Sequence, residues 1–208
     1  TDAALRAALR RAKRRIALLA GLADLGGVWA LEEVTGALTR LADIATDRAL
    51  KLHVAAEIAR GKLPGATMDD IATAGGAVAL AMGKMGAGEL NYSSDIDLIM
   101  LFDESRYDRD DFHDARASFI RATRRMSATL SEMTEDGYVF RTDLRLRPDP
   151  SVTPVILAMA TAESYYESLG RTWERAAHIK ARACARRAAI AAGWRAFRGL
   201  PGLTSHQT

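Results

Sequence analysis

The chain has 208 residues and a formal charge of +3, an imbalance too small to name a partner. Hydrophobic residues make up 49% and charged residues 26%, enough for a buried core under an ordinary polar surface. Mean hydropathy is −0.08 and no apolar run approaches the roughly 20 residues of a membrane span, so a membrane protein is excluded at this stage. Cys184, the single cysteine, rules out an internal disulfide or a cysteine zinc cage and fits a reducing cytoplasm. His53, His113, His178 and His206 are scattered, with no i, i+4 pair to suggest a histidine metal site. No leading apolar stretch with a small-residue cleavage site is present, so secretion is not expected. Thr1 stands where a methionine would, which raises the expectation of a larger parent protein.

Residues 3–23 repeat Leu5, Leu9, Ile16 and Leu19 at helical spacing, and Gly26-Gly27 breaks that helix. A second helix runs from about Leu31 through Val34, Leu38, Leu41 and Ile44 toward Ile58, and ends at Gly61 to Gly65. Arg6, Arg10, Arg11, Lys13, Arg14 and Arg15 crowd the first helix, where a charge run reads as a solvated face. Residues 66–76 read as a connector. Ala77 to Met82 and Ile96 to Phe102 are short apolar runs, predicted as buried strands. The glycine-rich segment 83–94 between them excludes a long helix. Asp103 to Asp114 is acidic. Phe112, Phe119, Met126 and Met133 recur every seventh residue with Ala115, Ala122 and Leu130 between, which predicts an amphipathic helix over 110–133. Asp136-Gly137 is a turn. From Tyr138 to Arg147 the pattern alternates, with Tyr138, Phe140, Leu144 and Leu146 on one face and Arg141, Asp143, Arg145 and Arg147 on the other. Pro148 and Pro150 end this predicted strand. From Thr161 the chain reads helical again to about Phe197, and Arg171 to Arg198 is strongly basic.

The chemistry concentrates at Ser94-Asp95-Ile96-Asp97. Residues i and i+2 of a strand share a face, so Asp95 and Asp97 project together. Adjacent carboxylates raise each other's pKa unless a cation neutralises them. Oxygen-only ligands favour Mg2+ or Mn2+, which keep positions open for water and phosphate. Asp143, on the polar face of its strand, is the candidate third carboxylate. Three carboxylates could hold two ions roughly 3.5–4 Å apart, clamping the entering and leaving oxygens of an in-line displacement. Arg141, Arg145 and Arg147 on that face would bind phosphate oxygens or pair with the acids. Gly83, Gly86 and Gly88 permit close backbone approach to phosphate. Bland readings stay open at this point. Asp-x-Asp at a strand start is common, the Asp143 strand could be a surface ion-pair ladder, the glycines could be turns, and Lys84 could reach phosphate or water.

Gly83 followed twelve residues on by Asp95-Ile96-Asp97, with a third acid in a strand, resembles the DNA polymerase β-like nucleotidyltransferase superfamily. Three stretches are more specific: Met82 to Ile99, Asp136 to Pro148, and Tyr165-Tyr166 followed by Gly170-Arg171-Thr172-Trp173-Glu174-Arg175 and Ile179-Lys180-Ala181-Arg182. They resemble the glutamine synthetase adenylyltransferase/adenylyl-removing family over about residues 77–185. The Gly83-Lys84 pair departs from the Gly-Ser or Gly-Gly of the broad superfamily but agrees with the narrower family. Ala87 stands where many members have glycine.

The resemblance implies an α+β nucleotidyltransferase fold, a small mixed sheet with flanking helices, with an N-terminal helical segment over 1–74 and a catalytic core over 75–208. It implies metal binding and catalysis by Asp95, Asp97 and Asp143. Nucleotide or phosphate binding is implied at Gly83, Lys84, Gly86, Gly88, Ser94, Arg145, Arg147 and Lys180. The wording around Trp173 to Arg182, with Asn91 to Ser94, is closer to the AMP-removing half of the family. That half releases AMP from a glutamine synthetase tyrosine by phosphorolysis, giving ADP. The implied partners are glutamine synthetase, nucleotide, phosphate and the PII signalling protein. Two other readings are the AMP-adding reaction with ATP, and a silent module that only binds a regulator. A nucleic-acid polymerase fits worst, since aromatics are only 6% and no aromatic-studded basic groove is visible.

Overall fold

The computed structural model describes residues 1–185. Helix α1 spans Asp2–Leu25, its first turn capped by the Thr1 hydroxyl, which accepts from the Ala4 N–H. Helix α2 spans Leu31–Ala59. Its buried Ala42, Ala45 and Ala49 let neighbouring helices approach closely. Helix α4 (Phe112–Ser131) packs on α2, as does α1. Phe119 of α4 stacks on Phe102 at 5.1 Å, tying the helical layer to the sheet.

The sheet is mixed. Strand β1 (Ala77–Ala81) is central, antiparallel to β2 (Ile96–Phe102) from Ala77↔Phe102 to Ala81↔Leu98. Strand β5 (Arg182–Ala185) lines its other edge, also antiparallel. The far edge of β2 takes two short parallel partners. Strand β3 (Thr142–Asp143) pairs at the start of β2, and β4 (Leu157–Ala158) pairs at its end. A parallel pair needs a crossover, and α4 supplies it between β2 and β3. Two cores follow from the period-2 pleat. Ala77, Ala79, Ala81, Leu98, Met100 and Phe102 face the α2/α4 layer. Val78, Leu80, Ile99 and Leu101 face α5 (Met159–Ser168) and its Tyr166. The expected α+β class with a small mixed sheet and flanking helices is what the chain adopts.

Two of the expected elements need correction. The strand from Tyr138 to Arg147 shrinks to two residues. The Val139 and Phe140 N–H groups both bond to the Leu130 carbonyl, folding that stretch onto the end of α4, and both side chains are buried. Beyond Asp143, Arg147 gathers the carbonyls of Leu144, Pro150 and Thr153, curling the chain into a loop. The helix expected from Thr161 breaks into α5 and a short α6 (Thr172–Ala177), and residues 182–185 form β5, because the open edge of β1 needs a partner. The remainder of that predicted helix, toward Phe197, lies outside the described residues. As expected, the glycine segment holds no long helix, only the five-residue α3 (Gly83–Ala87).

The basic run on α1 is not a solvated face throughout. Arg10 is 2% exposed and donates to the Gly137 carbonyl at 2.7 Å and the Glu132 carbonyl at 2.6 Å. Lys13 donates to the Val139 carbonyl and lies over the Tyr138 and Phe140 rings. Arg14 pairs with Asp136, and Arg6 with Glu132. These cations fasten the turn that leads from α4 into β3. Arg11 and Arg15 are exposed.

Candidate active site: three carboxylates at the mouth of β2

Asp95 is the last residue before β2, and Asp97 lies on β2 two positions later, on the face of Ile99 and Leu101. At this end of the strand the apolar cover stops, leaving Asp97 half-buried and Asp95 exposed. The β2–β3 register sets Asp143 directly beside Asp97. Paired residues of parallel strands share a face, so Asp97 and Asp143, from two separated stretches, stand side by side, with Asp95 two residues before Asp97. Electrostatics agrees. Burial, then Asp143, then Asp95 push the Asp97 carboxyl above the usual carboxylate range.

Two of the acids are partnered. Arg141 pairs with Asp95 and also donates to the Ser93 carbonyl at 2.9 Å. Arg145 chelates Asp143 through both oxygens, at 2.6 and 3.0 Å, and its backbone N–H bonds the same carboxylate at 2.8 Å. Hydrogen bonding to Arg145 holds Asp143 below its ordinary pKa. The Asp97 carboxylate makes no hydrogen bond or ion pair among the described residues, while the backbone carbonyl of Asp97 accepts from the Met82 N–H. Arg141 and Arg145 thus meet two of the three carboxylates directly and leave the half-buried Asp97 without a contacting cation. Among the described residues no three potential ligands stand close enough to form a ready-made metal cage. The donor set nevertheless suits a hard divalent cation, which would have to share or displace the guanidiniums.

The other expected residues separate into groups. Gly83 adopts φ +52 and lies against Asp97, where a Cβ would stand 3.0 Å from the carboxylate oxygen Oδ2. Lys84 is exposed, with no side-chain partner among the described residues. Gly86 is packed for another reason: a Cβ there would meet the Lys180 carbonyl at 2.2 Å and the Ala81 carbonyl at 2.6 Å, and its N–H is already bonded to the Met82 carbonyl. Gly88 ends α3 in the left-handed region, its N–H also committed. Neither of these two presents a free N–H to a phosphate. Ser94 closes its own turn, donating to the Asn91 side-chain oxygen at 2.6 Å. Arg147 is spent on carbonyls, and Lys180 pairs with Glu89 at 3.1 Å. Arg182 instead makes a bidentate pair with Asp43, both bonds 2.8 Å, locking β5 to α2. Glu174 is buried and accepts from the Tyr165 hydroxyl and the Arg171 N–H, a structural part. Arg141, expected on the polar face beside Asp143 either to bind phosphate or to pair with the acids, takes the second part in the structure.

A family model described as glutamate-ammonia ligase adenylyltransferase matches residues 1–195. The bifunctional glutamine synthetase adenylyltransferase/adenylyl-removing enzyme of Bradyrhizobium diazoefficiens is 52% identical over 177 residues, covering 85% of this chain and 18% of that protein. The protein of the same description from Rhodopseudomonas palustris is 50% identical over 179 residues, 86% of this chain and 18% of its own length. That from Caulobacter vibrioides is 47% identical over 189 residues, 91% of this chain and 19% of its own. The chain thus spans less than a fifth of the length of these curated relatives.

Proposed function

This chain belongs to the glutamate-ammonia ligase adenylyltransferase family, and from that premise we propose that it is a metal-dependent nucleotidyltransferase core that removes AMP from a glutamine synthetase tyrosine by phosphorolysis. The observation that carries the reading is the Asp97↔Asp143 register with Asp95 two residues before. A DNA polymerase β-like fold is the specific form that the mixed sheet would take. In the reaction an oxygen of inorganic phosphate attacks the phosphorus of the tyrosyl-AMP ester. One P–O bond forms to give ADP, the bond to the tyrosine oxygen breaks, and that oxygen takes up a proton.

Asp95, Asp97 and Asp143 would hold Mg2+ or Mn2+. Such an ion would supply positive charge to the phosphoryl oxygens and to the leaving oxygen. Arg145, exposed beside Asp143, orients the attacking phosphate. Gly83 keeps the space above Asp97 open to a nucleotide, and Lys84 reaches toward its phosphates. Phosphate needs orientation more than a strong base, so the site requires no histidine. In the reverse direction Asp143 would take the tyrosine proton. Glutamine synthetase is then the protein substrate, the PII protein a regulator of the longer enzyme, and the cytoplasm the compartment. Among the described residues no helix is long and apolar enough to cross a membrane.

Support for removal over addition comes from the Trp173 to Arg182 wording. Incubating the purified chain with Mn2+ and either adenylylated glutamine synthetase plus phosphate, or unmodified glutamine synthetase plus ATP, separates the directions. ADP release in the first mixture is expected. Tyrosine modification in the second alone would assign the adding reaction, and neither activity would leave a silent module.

A further inference from the structure

The three arginines that follow Asp136 differ in what they are free to do. Arg147 has its donors engaged by the carbonyls of Leu144, Pro150 and Thr153. Arg145 holds Asp143 from two positions along the same chain, a contact made and remade locally. Arg141 alone crosses between segments, reaching Asp95, 46 positions away in sequence. It is also moored independently of that acid. One terminal nitrogen donates to the Ser93 carbonyl at 2.9 Å, and the guanidinium lies 5.8 Å from the centre of the Tyr138 ring. Were Asp95 given another partner, the mooring would keep Arg141 at the mouth of the site with its Nε–H free.

A guanidinium and a divalent cation on one carboxylate repel each other and compete for its single negative charge. The Asp95–Arg141 pair is also about half exposed on both sides, so solvent weakens it and exchange is cheap. The freed guanidinium would stand beside phosphate oxygens brought in by the nucleotide, for which its planar fork is suited. We propose, resting on the metal-dependent reading above, that Arg141 is an exchanging counter-ion: it competes with the divalent cation for Asp95 and, once displaced, binds a nucleotide phosphate oxygen from its Ser93 mooring.

The two halves of this role have opposite signs, which a merely structural arginine would not produce. Free Mn2+ can be followed by electron paramagnetic resonance, and ADP binding by calorimetry at saturating Mn2+, on the whole chain. Arg141→Gln should tighten Mn2+ binding without nucleotide by about two- to fivefold, the range of an exposed ion pair. The same variant should weaken ADP binding about tenfold, as loss of one charge-assisted bond would. Arg141→Lys, which keeps charge but not the fork, should leave Mn2+ binding near wild type and recover ADP binding only in part. Circular dichroism checks that each variant folds. Unchanged or weaker Mn2+ binding in Arg141→Gln, or unaltered ADP binding, would overturn the proposal while leaving the metal site standing. If Mn2+ fails to bind the wild type, or binds Asp97→Asn equally well, the metal reading falls and the exchange role falls with it.

Discussion

Replacing Arg10 by methionine tests whether the basic run on α1 is a fastening or a solvated face. Methionine keeps most of the aliphatic stem and removes the guanidinium. Two opposed effects follow. Removing a buried charge recovers its desolvation cost. Against that, the carbonyls of Glu132 and Gly137 lose donors held at 2.6 and 2.7 Å. Hydrogen bonds to charged groups are each worth about 1.5–3 kcal/mol. Gly137 retains the Thr134 N–H and hydroxyl, so its loss is the smaller. The balance is a loss of about 2–4 kcal/mol. At roughly 2–4 °C per kcal/mol for a chain of this size, Arg10→Met should melt roughly 5–15 °C lower. Arg11→Met, next door but exposed, should stay within 2 °C of wild type by ordinary surface tolerance, about ±0.5 kcal/mol. Differential scanning fluorimetry of both variants decides. Equal shifts for the two would refute the idea that α1 grips the turn before β3.

Asp97 gives a prediction with a pH sign. Its native carboxyl takes a proton at higher pH than the ordinary 3.8 of the unfolded chain, so ionising it costs stability as pH rises above that value. Asp97→Asn should therefore melt higher than metal-free wild type at pH 7, with the advantage fading toward pH 4. A variant less stable at pH 7, by a margin insensitive to acid, would contradict the mutual repulsion of the three acids. Gly86→Ala would place a methyl 2.2 Å from the Lys180 carbonyl, forcing α3 away from the chain leading into β5. A loss of about 1–3 kcal/mol is expected from such overpacking, read as a lower denaturant midpoint. An unchanged midpoint would show that α3 shifts freely.

Much of this architecture can be read from residue pattern alone, and the failures have physical causes. Of the seven-residue repeat, Phe119 and Met126 are buried and Phe112 partly so on one face of α4, whereas Met133 falls beyond the end of the helix and is exposed. Ile96 to Phe102 is apolar on both faces because both faces are covered. The i, i+2 spacing of Asp95 and Asp97 announced their proximity, near enough for Asp95 to raise the Asp97 carboxyl. Alternation from Tyr138 to Arg147 misled because a chain draped over the end of α4 can alternate as a strand does. Residues 182–185 carry no strong strand pattern of their own, and the unpaired edge of β1 recruits them. What Arg10 and Lys13 do depends on carbonyls more than 120 positions away, which no local charge pattern reveals. The same holds for Gly86, whose need for glycine comes from the distant Lys180 carbonyl rather than from phosphate.

Asp143 is the acid that owes its place wholly to the fold, since Thr142–Asp143 is all that pairs with the start of β2. Phosphate-dependent ADP release from adenylylated glutamine synthetase, measured at saturating Mn2+ with wild type and Asp143→Asn, therefore probes the convergence of the three acids directly. Release should fall about 100-fold or more in the variant while its circular dichroism spectrum is kept, the scale of losing one transition-state charge contact. Near-wild-type release would mean that the neighbour of Asp97 across the sheet takes no part in the chemistry.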